Sequence, residues 1–314
     1  MQVTPVSVNK INFNNFCRPK KIKPEYPQNS FSFGSISSHF QNIKLHKQKE
    51  EKYFNKFLIR KGKVTKEEYE DIVKNHPYSL IKAKKYCDEN LKDSITPQVM
   101  ATIVSKAHNY IKENYKNARI ISIGTSPAPL CEQLALLGHD ILFIPATGAR
   151  SLDVEKDNPD KIPSLKYLID YIKSKDLDDG KLNIVLDFTC TGGSLRAIRN
   201  LIEKYTDVKE ENIKAKSLND LLNKAFAEAN LIEKLTLDVY FESLFLSSPE
   251  NVSNVPHYEV LNNRFRKYDD DDFVIRIENK SEKEIFREFE NSSQPLARAY
   301  SLCTAHEVSK IIKK

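Results

Sequence analysis

The sequence lacks several features that would have assigned it a class at once. It has no C-x-x-C spacing, no apolar run approaching the ~18 residues of a membrane span, and no long basic block. Its five cysteines, Cys17, Cys87, Cys131, Cys190 and Cys303, are odd in number and widely separated, with no paired histidine nearby. That pattern argues against a disulfide framework or structural zinc and for reduced thiols. The first residues have no apolar stretch of the secretory type, so the expectation is a cytoplasmic protein with no membrane partner. A Walker A loop is excluded because G-x-x-x-x-G-K-[ST] does not occur, and a serine nucleophile elbow because G-x-S-x-G does not. Lys and Arg exceed Asp and Glu by only 49 to 43, with both signs interspersed. A net charge of +6 favours phosphate-bearing ligands without indicating nucleic acid.

What remains is a chain of 314 residues, 40% hydrophobic and 29% charged, enough for one sizeable core with appendages. Residues 1–45 carry Pro5, Pro19, Pro24 and Pro27 among Asn, Ser and scattered Phe, and read as a mostly disordered arm. Residues 46–117 read as helices. Thr65 and Glu68 have capping-box spacing, and Thr96-Pro97 is a good N-cap and N1 pair. Over residues 118–248 the short apolar runs ARIISIG, DILFIPA, LNIVLDF and LTLDVYFESLFL alternate with helical segments. This alternation predicts a Rossmann-like α/β domain with a parallel sheet, whose ligands collect at the carboxyl ends of the strands. Residues 249–314, with the acidic run Asp269–Asp272, a short FVIRIEN strand and a helix near Ala297–Ile312, read as a C-terminal cap or extension. His108 and His139 lack partners in the sequence and read as structural or surface residues.

The segment LNIVLDFTCTGGSLRAIRNLIEKY carries the chemistry. A buried strand runs into Asp187, then into small and hydroxyl-bearing residues, then into a helix with Leu195, Ile198, Leu201 and Ile202 on one face. Free N–H groups and the positive end of the helix dipole make such a start an anion site. Gly192 and Gly193 let the backbone approach the anion, and Thr189, Thr191 and Ser194 supply hydroxyls. Asp187 is placed to accept hydrogen bonds from sugar hydroxyls or to help hold a metal.

In register and without a gap, this run resembles the PRPP-binding motif of type I phosphoribosyltransferases. That motif is an apolar strand, two acids, two mostly apolar residues and a variable one, then Thr-Gly-small-Thr or Ser. The chain offers Leu186-Asp187, Phe188-Thr189-Cys190 and Thr191-Gly192-Gly193-Ser194, so Leu186 stands where the family has its first acid. The resemblance implies a sheet of the phosphoribosyltransferase type and Mg²⁺-bound PRPP, or a nucleoside monophosphate, as ligand. It puts the 5′-phosphate on Thr189, Cys190, Thr191, Gly192, Gly193 and Ser194, and Asp187 near the ribose and magnesium. Pyrophosphate falls to the earlier turn Gly124, Thr125 and Ser126, which lacks the family's basic residue, with Arg150 as the cation from the long polar stretch 145–164 and Lys156 behind it. The implied reaction is transfer of phosphoribosyl to a nitrogen acceptor, catalysed through Asp187 and Arg150, and the implied assembly allows a homodimer.

Two other readings stay open at this point. A non-catalytic nucleotide or sugar-phosphate binding protein would also keep the loop while lacking the first acid. VLDFTCTGGSL also looks like the S-adenosylmethionine loop of adenine-specific DNA methyltransferases, although no [DN]-P-P-[YF] tetrapeptide comes after it.

Overall fold

The computed structural model describes residues 33–91, 95–146, 149–189, 191–246, 252–253, 257–259, 264–266, 274–276, 281, 284, 287 and 294–313. Two units are distinguished, Met1–His46 and Lys47–Lys314, and the parallel sheet with its flanking helices belongs to the second. The arm reading falls mainly outside the described residues, and residues 33–45 belong to a helix, α1 (Phe33–Leu58). The acidic run Asp269–Asp272 also lies outside them.

The predicted helical region folds as α2 (Lys66–Asn75), α3 (Pro77–Asn90) and α4 (Pro97–Asn114). Their starts are fixed locally. Thr65 Oγ accepts from the Glu68 N–H at 3.2 Å, and Thr96 Oγ from the Val99 N–H at 3.4 Å. The reciprocal half of the capping box is diverted: the Glu68 carboxylate takes Arg298 at 2.6 Å through both oxygens and Arg60 at 2.9 Å. A buried arginine outweighs a local backbone donor as partner for that charge.

The sheet is parallel throughout, built from β1 (Arg119–Ile123), β2 (Asp140–Ile144), β3 (Asn183–Asp187) and β4 (Ile213–Ser217) in the order β2-β1-β3-β4. Alternation along the strands divides the core in two. Ile120, Ile184 and Leu186 pack with α4, with α5 (Ala128–Leu136), α8 (Leu218–Ala225) and α10 (Pro295–Ile312). Ile121, Ile123 and Val185 pack with α6 (Pro163–Lys173) and α7 (Gly193–Tyr205) on the other face. Burial of both faces explains why the strands read as continuous apolar runs. At the amino ends, Arg119 meets Asp140 at 3.3 Å and Asp179 at 2.7 Å, leaving the carboxyl ends to the loops.

The fourth strand differs from expectation. LTLDVYFESLFL lies in a helix, α9 (Leu231–Leu246), and the strand is IKAKS instead. Apolar runs of this length fit either period. Here Leu237, Tyr240 and Leu244, spaced by three and four, pack into the helical core. An Asn230–Glu233 capping box closes the start, each side chain accepting from the other residue's N–H at 3.0 Å. Strand β4 is short and carries two lysines, so its hydrophobic signal is weak.

The C-terminal segment contributes a three-stranded antiparallel sheet, β5 (His257–Glu259), β6 (Arg264–Arg266) and β7 (Val274–Arg276), the last inside the FVIRIEN run. Helix α10 lies within the helical layer, with Ala297–Ala305 buried throughout. His108 and His139 meet each other: His108 Nδ1 and His139 Nε2 are 2.9 Å apart, joining α4 to the corner before β2. Burial pushes both imidazoles down, His139 to about 4, so the contact is a neutral one at pH 7.

Candidate functional site

The strand order reverses between β1 and β3. The connection through α5 leads to β2 on one side of β1, and the connection through α6 leads to β3 on the other. Such a switch point opens a crevice between the loops that leave the two strands, which is where doubly wound sheets hold ligands. The loops are Gly124–Pro127 after β1 and Phe188–Gly192 after β3, the two singled out in the sequence.

The β3 loop enters α7 through Gly192, whose φ of 71° is left-handed and favours glycine. No side chain caps the helix, and its first hydrogen bond runs from the Arg196 N–H to the Gly192 carbonyl at 3.1 Å. The N–H groups of Gly193, Ser194 and Leu195 therefore have no intrahelical acceptor and are the donors this loop can offer an anion. Thr191 is exposed, and Thr189 and Ser194 are half-buried. Cys190 lies outside the described residues.

Arg150 is brought to this same loop. It sits in a short turn, Ala149–Ser151, anchored by fully buried Ala149, with its side chain exposed. A Cβ built on Gly193 would lie 3.0 Å from the Arg150 Cβ and 3.4 Å from its Cα. A side chain at this position would require the Arg150 turn to give by a few tenths of an ångström. Leu152 and Val154 pin the next stretch in the core, and Lys204 Nζ donates to the Val154 carbonyl at 2.6 Å. Lys156 is engaged by Asp153 at 2.8 Å on the surface, so Arg150 is the better placed cation.

The β1 loop has a different division of labour from the one expected. Gly124 has φ 63°, and a Cβ there would come 3.0 Å from the Ala146 carbonyl oxygen. Its N–H donates to the Ile144 carbonyl at 2.8 Å, so Gly124 shapes the turn. Thr125 is buried and Ser126 half-buried, and among the described residues their N–H groups have no acceptor. They are the donors this turn can offer an anion.

Asp187 and Leu186 point to opposite faces of β3. Leu186 is fully buried in the helical core. Asp187 is half-buried at the strand end, level with Ser217 of β4. Burial pushes its carboxyl up from 3.8 to about 7, against a hydrogen bond from the Phe188 N–H that lowers it. A carboxyl disturbed this far at a switch point is a functional signature, although structural groups show it too. Phe188 comes next and stacks on Phe241 of α9, with centroids 6.3 Å apart. Sequence reasoning missed that wall because it had assigned α9 to the sheet.

The raised carboxyl has a thermodynamic consequence. Its folded-state pKa lies above the unfolded one, so the stability it contributes is complete below about pH 3.8 and is lost as pH rises through about 7. Asp187→Asn removes that loss. The variant is expected to gain roughly 2 kcal/mol at about pH 8, after allowance for solvent screening of a partly exposed group, and almost nothing at about pH 4. Thermal melts at the two pH values check this. Equal stability of variant and wild type at the higher pH would contradict it.

Among the described residues no three His, Cys, Asp or Glu side chains come together. A magnesium ion here would rest on Asp187 and on oxygens of its own ligand, which suits a phosphorylated ligand that arrives with its metal. A cavity of about 180 Å³ between α3, α4 and α10 is lined by Cys87 and Cys303. Hydrogen bonding to Cys303 and burial hold the Cys87 thiol well above its usual range, so Cys87 offers no thiolate. No family model, curated protein or solved structure matches the chain.

Proposed function

We propose that the crevice between β1 and β3 binds a phosphorylated ribose, either PRPP with magnesium or a nucleoside monophosphate. The observation that carries the reading is the pairing, at one switch point, of an uncapped α7 start with a half-buried Asp187. In this reading the N–H groups of Gly193, Ser194 and Leu195 and the hydroxyls of Thr189, Thr191 and Ser194 hold the 5′-phosphate. Asp187 accepts from the ribose hydroxyls and shares the magnesium. Thr125 and Ser126 donate to the pyrophosphate, and Arg150 balances its charge. For transfer, a nitrogen nucleophile forms a bond to C1′ as the C1′–O bond breaks and pyrophosphate leaves. The protein contributes positioning and charge stabilisation.

A second reading is binding without turnover, favoured by one observation. Leu186 faces the core, so the strand presents a single carboxylate to the crevice. Calorimetry of the wild type with Mg²⁺-PRPP, a nucleoside monophosphate and S-adenosylmethionine separates the options. Binding of PRPP or the monophosphate in the micromolar to sub-millimolar range is expected. Binding of neither would sink the proposal, and binding of S-adenosylmethionine alone would replace it with a methyltransferase. Pyrophosphate release across a panel of bases then distinguishes transfer from binding.

A further inference from the structure

Helix α9 is apolar on both sides, a pattern normally found where a helix is covered all round. Its inner side is covered: Leu237 and Tyr240 are buried and Leu244 packs partly against the core. Its outer side is open, with Leu231 73%, Ile232 76%, Leu235 54% and Val239 50% exposed. These four recur at three- and four-residue spacing and form one contiguous stripe. Among the described residues of 118–248 they are also the most exposed large apolar side chains. The helix cannot turn to hide them, because Glu233 holds its start twice, in the Asn230 capping box and in an ion pair with Lys106 of α4 at 2.9 Å.

The charges beside the stripe say what covers it. Lys234 and Asp238 lie on one flank, are exposed, and make no ion pair among the described residues. If two copies of α9 pack antiparallel about a twofold axis near Leu235, residues on the same flank face each other in reversed order. Lys234 then meets the partner's Asp238, and symmetry repeats the pair. The same axis sets Leu231 across from the partner's Val239 and Leu235 beside its own copy. Parallel packing about a twofold axis would instead carry the two Lys234–Asp238 flanks to opposite sides of the seam, where these charges do not meet. Only the antiparallel arrangement pairs them.

We propose that the chain forms a twofold homodimer through α9, two copies packing antiparallel on Leu231, Leu235 and Val239 with reciprocal Lys234–Asp238 pairs. A closed isologous contact of this kind is the commonest form of assembly. With one helix per subunit in the contact, association belongs in the micromolar range.

Analytical ultracentrifugation of the full chain over micromolar to sub-millimolar concentrations tests it. The wild type is expected to pass from monomer to dimer. Leu235→Glu, at an exposed position, is expected to weaken the dimer about tenfold or more while leaving the far-UV circular dichroism and dilute-solution melting unchanged. Lys234→Asp is expected to weaken it too, and the exchange Lys234→Asp with Asp238→Lys to restore it. A wild type that stays monomeric throughout overturns the proposal, whether the chain's own first residues or a different protein covers the stripe. So does a dimer indifferent to Leu235→Glu, or one that the charge exchange leaves as weak as Lys234→Asp alone.

Discussion

Leu186→Glu is expected to unfold the protein or lower its melting temperature by about 10 °C or more, not to restore a missing acid. The family pattern invites the substitution, because this is the place of the first of two carboxylates. The strand forbids it. Leu186 is fully buried and belongs with Ile120 and Ile184 to the core beneath α4 and α5, while Asp187, one residue on, is half-buried on the other side of β3. The variant gives up burial of a leucine, roughly 2 kcal/mol, and places an unpaired carboxylate in an apolar core at a cost of several kcal/mol more. Against a total stability of about 5–15 kcal/mol, the sum leaves little margin. Leu186→Met, which keeps the volume, should stay within about 1.5 kcal/mol of wild type. If Leu186→Glu melts within a degree or two of wild type, its carboxylate has reached water or a cation, and Leu186 does not face the core of β3.

Arg298→Met is expected to cost about 3–5 kcal/mol in urea unfolding. Arg298 is 1% exposed and is, among the described residues, the largest fully buried side chain. Its guanidinium donates to the Phe57 carbonyl at 2.8 Å, the Gly62 carbonyl at 2.7 Å and both Glu68 oxygens at 2.6 Å, and it lies over the Phe57 ring at 4.5 Å. One side chain thus ties α10 to α2 and to the turn after α1. Its removal leaves two carbonyls and a nearly buried carboxylate short of partners, with Arg60 alone to serve Glu68. Most of the loss is the stranding of Glu68, so the double variant Glu68→Leu with Arg298→Met should recover part of it. A single variant within about 1 kcal/mol of wild type would show that water takes over these groups.

Both predictions mark where sequence reading stopped. The alternation of apolar runs and helices was enough for a parallel α/β sheet, and the caps at Thr65 and Thr96 are local enough to read directly. The two loops of the crevice were legible for the same reason, since a glycine-bearing strand-to-helix turn is a matter of adjacent residues. The fate of LTLDVYFESLFL was not legible, because its burial against α4 is decided by tertiary packing that neither period reveals. Strand β4 was hidden by its lysines. The direction of Leu186 could not be read either: a strand buried on both faces gives no polar alternation to fix which residue meets which layer. The proximity of Arg150 to Gly193, and of Phe241 to Phe188, joins segments far apart in the chain. Only the fold brings them together.

The central claim, that the start of α7 holds a phosphate, is tested most directly by calorimetry with Mg²⁺-PRPP on wild type, Gly193→Ala and Gly193→Asp. A Cβ at this position meets the Arg150 Cβ at 3.0 Å, and the aspartate also sets a negative charge at the anion site. The account predicts measurable binding by wild type, a several-fold loss in Gly193→Ala from displacement of the Arg150 turn, and a loss of about a hundredfold or more in Gly193→Asp. Unchanged affinity in Gly193→Asp, with the protein folded, would place the phosphate elsewhere and contradict it.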